Sequence, residues 1–307
     1  MKLQNTIFYF LCLIVFASFI FLGASIASFD VLGANNSIVT TRVNITNTEP
    51  DVHYVFITPD PVDLTPGETT TVNCTGYVYD LDGYADVQSA NATFYDSSIG
   101  DTGGFDGTSR YYNSSCACSE ISAFNASCSC TFEVQYYANN GTWQCNMTAV
   151  DGEGVSDNEN SSLYDVNTVI GIDVPTEIDY GNLSVTDYSL EKQLQITNYG
   201  NVPINVSVRG YGGTINPYNP DNLAMECAYG GNISIEYEKY SLTPGLGYES
   251  MVALSNSSSE MNLEVQVKTS DISSNNYNTT YWMIYIPSGV GGICNGTLHF
   301  VGHENPQ

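Results

Sequence analysis

Apolar and polar residues alternate with a period of two along most of this chain. Clear examples lie at residues 72–79, 131–136, 204–208 and 261–267. Such alternation is typical of strands with one buried face and one solvent face, and no segment after residue 27 has a convincing helical period. Turn sequences such as Thr65-Pro66-Gly67 separate the runs. Many short strands divided by turns predict an all-β fold of the sandwich or barrel kind.

The N-terminus differs from the rest of the chain. Met1 and Lys2 precede an apolar run over residues 7–22, and small residues follow at Ser25 and Ala27. This order predicts a signal peptide that is cut after Ala27. Because about 20 apolar residues can span a bilayer, an uncleaved signal anchor is the alternative. Either interpretation makes the remainder extracellular or exposed at the cell surface.

The part after residue 27 is long enough for two domains of ordinary size. We expect a signal peptide or signal anchor at 1–27 and a polar leader with one strand at 28–50. An immunoglobulin-like β-sandwich rich in disulfides is expected at 51–165, and a second β-sandwich at 166–307. The leader's strand is assigned to the apolar alternation at 38–45.

The charge of the chain limits its partners. Seven Lys and Arg stand against 33 Asp and Glu, for a formal net charge of −26. A polyanion repels nucleic acid and anionic headgroups, so we expect no nucleic-acid partner and no membrane contact beyond the N-terminal segment. The same charge attracts divalent cations. The 23 Tyr and 12 Phe supply core material and argue against disorder.

Cysteine usage is typical of an oxidising compartment. Apart from Cys12, the chain has eight cysteines, an even number. Two of them sit where immunoglobulin-like domains bridge their sheets, and four more fit opposite positions of a hairpin centred on residue 123. The predicted pairs are Cys74–Cys145, Cys116–Cys130, Cys118–Cys128 and Cys227–Cys294. A zinc site made by the four hairpin thiolates is the competing interpretation.

Acceptor sequences for N-glycosylation are unusually frequent. The pattern Asn-x-Ser/Thr occurs 15 times, whereas the composition alone gives about six. Five of these asparagines fall on the polar phase of predicted strands, where a glycan would project into solvent. They are Asn73, Asn91, Asn146, Asn205 and Asn232.

Two acidic segments each begin six residues after a bridging cysteine, at residues 80–86 and 151–157. If both cysteines lie on strands that run the same way, equal lengths of strand bring the segments to one pole. Carboxylate oxygens are the ligands that Ca²⁺ prefers. The predicted ligands are Asp80, Asp82, Asp86, Asp151, Glu153 and Asp157. The alternative is that these are ordinary, solvated Asp-Gly turns. No cofactor is otherwise expected.

The sequence carries no pattern typical of an enzyme. Its three histidines are His53, His299 and His303, and the last two have strand-end rather than helical spacing. Nucleophile-elbow, phosphate-loop and dinucleotide-binding motifs are absent. We therefore expect a non-catalytic protein. Outward-facing rings could stack on sugars, although tyrosine also suits half-buried strands without a ligand. The candidates are Tyr77, Tyr79, Tyr95, Tyr111, Tyr112 and Tyr137.

Several turn sequences carry a family resemblance. Residues 47–50, 64–69, 79–83, 140–145 and 151–154 resemble immunoglobulin-like and PKD-like repeats of archaeal cell-surface glycoproteins. Residues 196–206 resemble sandwich modules that carry an Asn-x-Gly-Asn turn between two strands. The resemblance implies an extracellular structural or envelope glycoprotein, with other surface proteins or glycans as partners. The alternatives are an adhesin or carbohydrate-binding module, and a fibre subunit that forms a homopolymer by donating residues 38–46 as a strand.

Overall fold

The computed structural model of this 307-residue chain describes residues 38–214 and 221–304. The predicted signal segment at 1–27 lies outside the described residues. In the first half of the described chain the strands are β1 (Asp51–Thr58), β2 (Thr69–Tyr79), β3 (Val87–Asp96), β4 (Arg110–Asn113), β5 (Ala117–Ser122), β6 (Asn125–Gln135), β7 (Gly141–Asp151), β8 (Ser156–Asn160) and β9 (Tyr164–Val166).

The second half continues in the same way. Its strands are β10 (Ile172–Asp173), β11 (Lys192–Asn198), β12 (Ile204–Gly212), β13 (Leu223–Gly230), β14 (Ile233–Ser234), β15 (Glu238–Ser241), β16 (Val252–Ala253), β17 (Ser259–Val265), β18 (Tyr277–Ile284) and β19 (Val290–Glu304). Short 3₁₀ turns lie at Tyr84–Asp86, Ile235–Tyr237 and Tyr248–Ser250. Within the described ranges, no helix is long and apolar enough to cross a membrane.

The first sandwich packs two antiparallel sheets face to face. One sheet has the order β1-β2-β6-β5, and the other has the order β4-β3-β7-β8 with β9 also paired to β7. Alternate residues of each strand point inward, as the two-residue period predicts. Phe94 and Trp143 are fully buried, with ring centroids 4.7 Å apart, at the centre of this core.

The second sandwich is built on the same plan. Its sheets have the orders β10-β11-β18-β15-β16 and β14-β13-β19-β12-β17. Trp282 is fully buried in its core, where its ring lies 5.3 Å from Tyr240 and 5.9 Å from Phe300. Two separate clusters of buried apolar residues, one in each sandwich, confirm the predicted all-β sandwich fold.

The eight cysteines pair as the sequence predicts. Cys74 on β2 is bonded to Cys145 on β7, so this disulfide joins the two sheets of the first sandwich across a Cα separation of 6.4 Å. Two bridges lie on the β5–β6 hairpin, and one joins β13 to β19 in the second sandwich. The arrangement of the hairpin cysteines thus favours the disulfide interpretation over the zinc site.

Buried asparagines join the two sandwiches. The side-chain amide of Asn201, in the turn at 198–201, donates 3.1 Å to the carbonyl of Ala138 in the first sandwich. Asn276 donates to the carbonyl of Asn198 at 3.0 Å and to the hydroxyl of Tyr136 at 3.4 Å. Because these amides are buried, their loss would leave polar groups unpaired. The turn at 198–201 therefore connects two strands of the second sandwich and also contacts the first sandwich.

The predicted strand in the leader is wrong. Residues 38–50 form no strand in the structure. The apolar side chains of the run are exposed: Ile38 by 96%, Val39 by 78%, Val43 by 79% and Ile45 by 80%. Alternation alone does not make a strand, because a strand also requires a neighbouring backbone to pair its N–H and C=O groups.

Glu238 is a buried carboxyl in the second sandwich. It lies on β15, where it accepts a hydrogen bond of 2.8 Å from the hydroxyl of Tyr180. Burial raises the pKa of Glu238 from its ordinary value of 4.5 to about 7, although the hydrogen bond from Tyr180 acts in the opposite direction. The folded protein therefore holds a proton at this site that the unfolded chain releases at lower pH.

We expect the two kinds of disulfide in the first sandwich to differ in their contribution to stability. The Cys74–Cys145 bridge closes a loop of 71 residues, whereas Cys118–Cys128 closes one of 10. Loop-closure entropy predicts destabilisation of about 4 kcal/mol for removal of the first bridge and about 3 kcal/mol for the second. Urea unfolding of the two double-alanine variants, followed by Trp143 fluorescence in a Trp282→Phe background, measures both. A larger loss for the hairpin bridge would contradict this order.

We expect Glu238 to make the second sandwich less stable as pH rises. The contribution of its neutral form is complete below pH 4.5 and is lost as pH rises through about 7. The shift corresponds to about 3 kcal/mol. Glu238→Gln should remove this pH dependence in urea unfolding between pH 5 and 8, because an amide does not titrate. The amide oxygen still accepts the hydrogen bond from Tyr180, so the contact itself is kept. Glu236→Gln is the matched control at an exposed position two residues away, and equal profiles for both variants would disprove the assignment.

Candidate functional site

Two turns of the same design end strands β2 and β7. The sequence Asp80-Leu81-Asp82-Gly83 follows β2, and Asp151-Gly152-Glu153-Gly154 begins at the last residue of β7. In each turn the first aspartate accepts, through Oδ1, the N–H of the residue two positions later, at 2.8 Å and 3.0 Å. Each turn ends at a glycine with a positive φ angle, 113° at Gly83 and 85° at Gly154. Residues with a side chain adopt such angles only at an energetic cost.

The two turns lie at the same pole of the first sandwich. Oxygens of Asp80, Asp82 and Asp86 lie within 4.8 Å of one another, and so do oxygens of Asp86, Asp151 and Glu153. Asp86 therefore belongs to both groups. It reaches the second turn because Gly152 has no side chain: a Cβ there would lie 2.7 Å from Asp86 Oδ1. We call these five residues the acidic pole.

The chain enters the first sandwich at the acidic pole. The side-chain amide of Asn47 donates to Asp151 Oδ2 at 2.7 Å, and the N–H of Thr48 donates to Asp82 Oδ2 at 2.6 Å. Pro50, directly before β1, is buried. The segment at 47–50 thus contacts both acidic turns, a contact that neither turn sequence reveals by itself.

Asp80 and Asp151 are both buried but differ in how they are satisfied. Burial opposes ionisation of Asp151, yet hydrogen bonds from Asn47 and from the N–H groups of Val155 and Glu153 hold its pKa below its usual range. For Asp80, burial and the neighbouring carboxylates raise the pKa against one backbone hydrogen bond. No described residue donates to the buried oxygens Asp80 Oδ2 and Asp86 Oδ2. The pole therefore has acceptor oxygens without donors.

Asp157 does not join the other five predicted ligands. It lies on β8 and accepts the N–H of Val52 on β1 at 2.9 Å. This contact fixes β1 beside β8 at the start of the sandwich. The six-residue spacing after the cysteines located both acidic segments correctly, but it could not show which carboxylates the strand pairing uses.

The five predicted glycosylation asparagines all have solvent access. Asn73, Asn91, Asn146 and Asn205 are half-buried on strand faces, and Asn232 is exposed. The side-chain amide of Asn146 donates to Asn158 and Asn160 on the neighbouring strand. Their modification stays a prediction.

A second polar and aromatic feature lies on the second sandwich. An open groove of about 360 Å³ is lined by four tyrosines together with Lys239 and Glu249. We call it the tyrosine groove; its rings are those of Tyr188, Tyr237, Tyr248 and Tyr285, with neighbouring centroids 4.7–6.5 Å apart. The ammonium of Lys239 lies 4.2 Å from the centroid of Tyr248. The tyrosines are far apart in sequence, so no local motif marks this groove.

The tyrosines that the sequence suggested for sugar stacking have mixed positions. Tyr95, Tyr111 and Tyr137 are buried, and Tyr112 is 54% exposed. Tyr77 stacks on the exposed Tyr54, with centroids 5.8 Å apart and planes 11° from parallel. Their alternation in sequence was compatible with either face, and cross-strand packing decides between them.

The two C-terminal histidines do not form one site. Both lie on β19, where His299 contacts the guanidinium of Arg209 and His303 lies 3.2 Å from a carboxylate oxygen of Glu260. Residues four apart on a strand are about 13 Å apart, too far to share one ion.

No protein-family model and no curated protein matches this chain. Among solved structures, the C-terminal domain of the Streptococcus pyogenes antigen I/II-family protein AspA aligns with 85% of this chain and 97% of its own, at 8% identity and a TM-score of 0.23. A structure described as BspA_C_WT aligns with 80% of this chain and 92% of its own, at 8% identity and a TM-score of 0.20. Both scores lie below 0.5, so neither similarity bears on function.

Proposed function

We propose that this chain is a non-catalytic structural glycoprotein of the cell surface, with its two β-sandwiches outside the cell. The observation that carries the proposal is the pairing of all eight cysteines from Cys74 to Cys294 in four disulfides. Disulfides of this density persist in oxidising compartments and are rare in the cytosol. The apolar N-terminal segment and the 15 glycosylation sequences support the same location.

The junction between the sandwiches suits a structural role. Buried asparagines and the edge-to-face pair of Tyr136 and Tyr199, 5.6 Å between centroids, connect the two domains directly. Tyr137 also donates a hydrogen bond to Asp271 across the same junction. Domains that are linked only by a flexible chain transmit little force or orientation, whereas a packed junction fixes one domain relative to the next.

Surface labelling of intact cells tests the location. A membrane-impermeant amine reagent should label this protein, and external protease should remove it, while a cytosolic marker stays untouched. Peptide mapping without reductant should recover the four disulfides, and mass spectrometry should find glycans on sequons such as Asn232. Protein that is protected in intact cells and has free thiols would overturn the proposal.

The tyrosine groove favours carbohydrate binding as a second candidate function. Sugars stack on aromatic rings through their C–H faces, and their hydroxyls need donors and acceptors at the rim. Here Tyr188 is 47% exposed, and its hydroxyl donates to Glu249 at 3.2 Å. Glu249 is also 3.8 Å from the ammonium of Lys239. An open aromatic groove with a carboxylate and an ammonium beside its rings suits the binding of a glycan.

A glycan array followed by titration calorimetry measures this activity. We expect Tyr285→Ala to lower the affinity for a bound glycan about tenfold, because it removes the ring that contacts the other three tyrosines of the groove. Tyr112→Ala is the matched control, an exposed tyrosine of the first sandwich. Absence of glycan binding, or equal losses in both variants, would rule out the groove as the binding site.

A further inference from the structure

We propose that the acidic pole is a calcium-binding site. Its ligands are carboxylate oxygens of the five clustered residues, namely Asp80, Asp82, Asp86, Asp151 and Glu153. This inference is independent of the proposed surface role, because it rests only on the geometry of the two turns. Ca²⁺ takes six to eight oxygens in flexible geometry, and water or backbone carbonyls complete such a shell.

A buried, unpartnered oxygen distinguishes this cluster from ordinary acidic turns. Asp80 is 0% exposed, yet its Oδ2 receives no hydrogen bond from any described residue. A buried carboxylate without a donor is costly, and nearby like charges add to that cost. The neighbours of Asp80 in the cluster are Asp82 and Asp86, both acidic. Among the described residues, no Lys or Arg forms an ion pair with these carboxylates. A divalent cation would supply the missing positive charge.

The shared position of Asp86 points to a site that spans both turns. Its oxygens belong to the group formed with the β2 turn and to the group formed with the β7 turn. One of them, Oδ2, is buried without a donor, like Asp80 Oδ2. An ion bound there would therefore hold the two sheets together at their ends, six residues beyond the disulfide that joins them.

The same site would also order the entry of the chain. Asn47 and Thr48 donate to Asp151 and Asp82, so the segment at 47–50 depends on the position of both turns. Fixing the carboxylates fixes the acceptors of these two hydrogen bonds. Calcium should thus slow hydrogen exchange at the amide of Thr48 as well as in the turns themselves.

Calorimetry and thermal unfolding of the full chain test the proposal with CaCl₂ as the probe. We expect a dissociation constant of about 10⁻⁴–10⁻³ M, as in extracellular calcium modules. At ten times that concentration the melting temperature of the first sandwich should rise by a few degrees. Asp86→Asn should weaken binding at least tenfold. Glu159→Gln, which removes an exposed charge on β8, should bind calcium like the parent.

Asp80→Asn gives a second, sign-reversing test. Without calcium this variant should melt at a higher temperature than the parent, because it replaces a buried, unpartnered carboxylate by a neutral amide. With saturating calcium the parent should melt higher, because only the parent gains the ion. No heat of binding, no rise in melting temperature and no change in Thr48 exchange with calcium would overturn the proposal, and so would an Asp86→Asn variant that binds like the parent.

Discussion

The disulfide between Cys74 and Cys145 is the constraint on which the first sandwich depends. It joins the central strands β2 and β7 from opposite sheets, and both cysteines are fully buried. Trp143, two residues before Cys145 on the same inward face, packs against Phe94 beside the bridge. A covalent link at the centre of two facing sheets limits how far they can slide past each other. The bridge therefore fixes the relative positions of the turns at the ends of these strands.

The acidic pole follows from that link. Each strand continues for six residues beyond its cysteine and then enters an acidic turn. Because both strands run toward the same end, equal lengths place the turns that begin at Asp80 and Asp151 at one pole. The absence of a side chain at Gly152 then admits Asp86 between the turns. The disulfide, the equal strand lengths and Gly152 thus bring Asp86 together with Asp151 and Glu153, which lie 65 and 67 positions later in the sequence.

The sequence predicted the parts of this protein that follow from periodicity and spacing. Alternation identified the strands and their inward faces, and the cysteine spacing identified the bridges and the converging turns. What it missed depends on contacts that no local pattern contains. Whether residues 38–45 form a strand depends on an available partner, and the role of Asp157 depends on β1 lying beside β8. The tyrosine groove gathers residues 188–285 only after the sheets have folded.

The carboxylates that produce the net charge of −26 differ in burial and in hydrogen bonding. Most carboxylates are exposed and hydrated, where repulsion is screened within about 10 Å at ordinary ionic strength. Asp151 is buried, but Asn47 and the N–H groups of Glu153 and Val155 donate to it and hold its pKa below the usual range. Glu238 is buried with one donor, so its pKa is raised to about 7. Asp80 Oδ2 is buried and accepts no hydrogen bond from a described residue. Of these acidic groups, the acidic pole is the place where burial and like charge combine, and there a cation would relieve both costs at once.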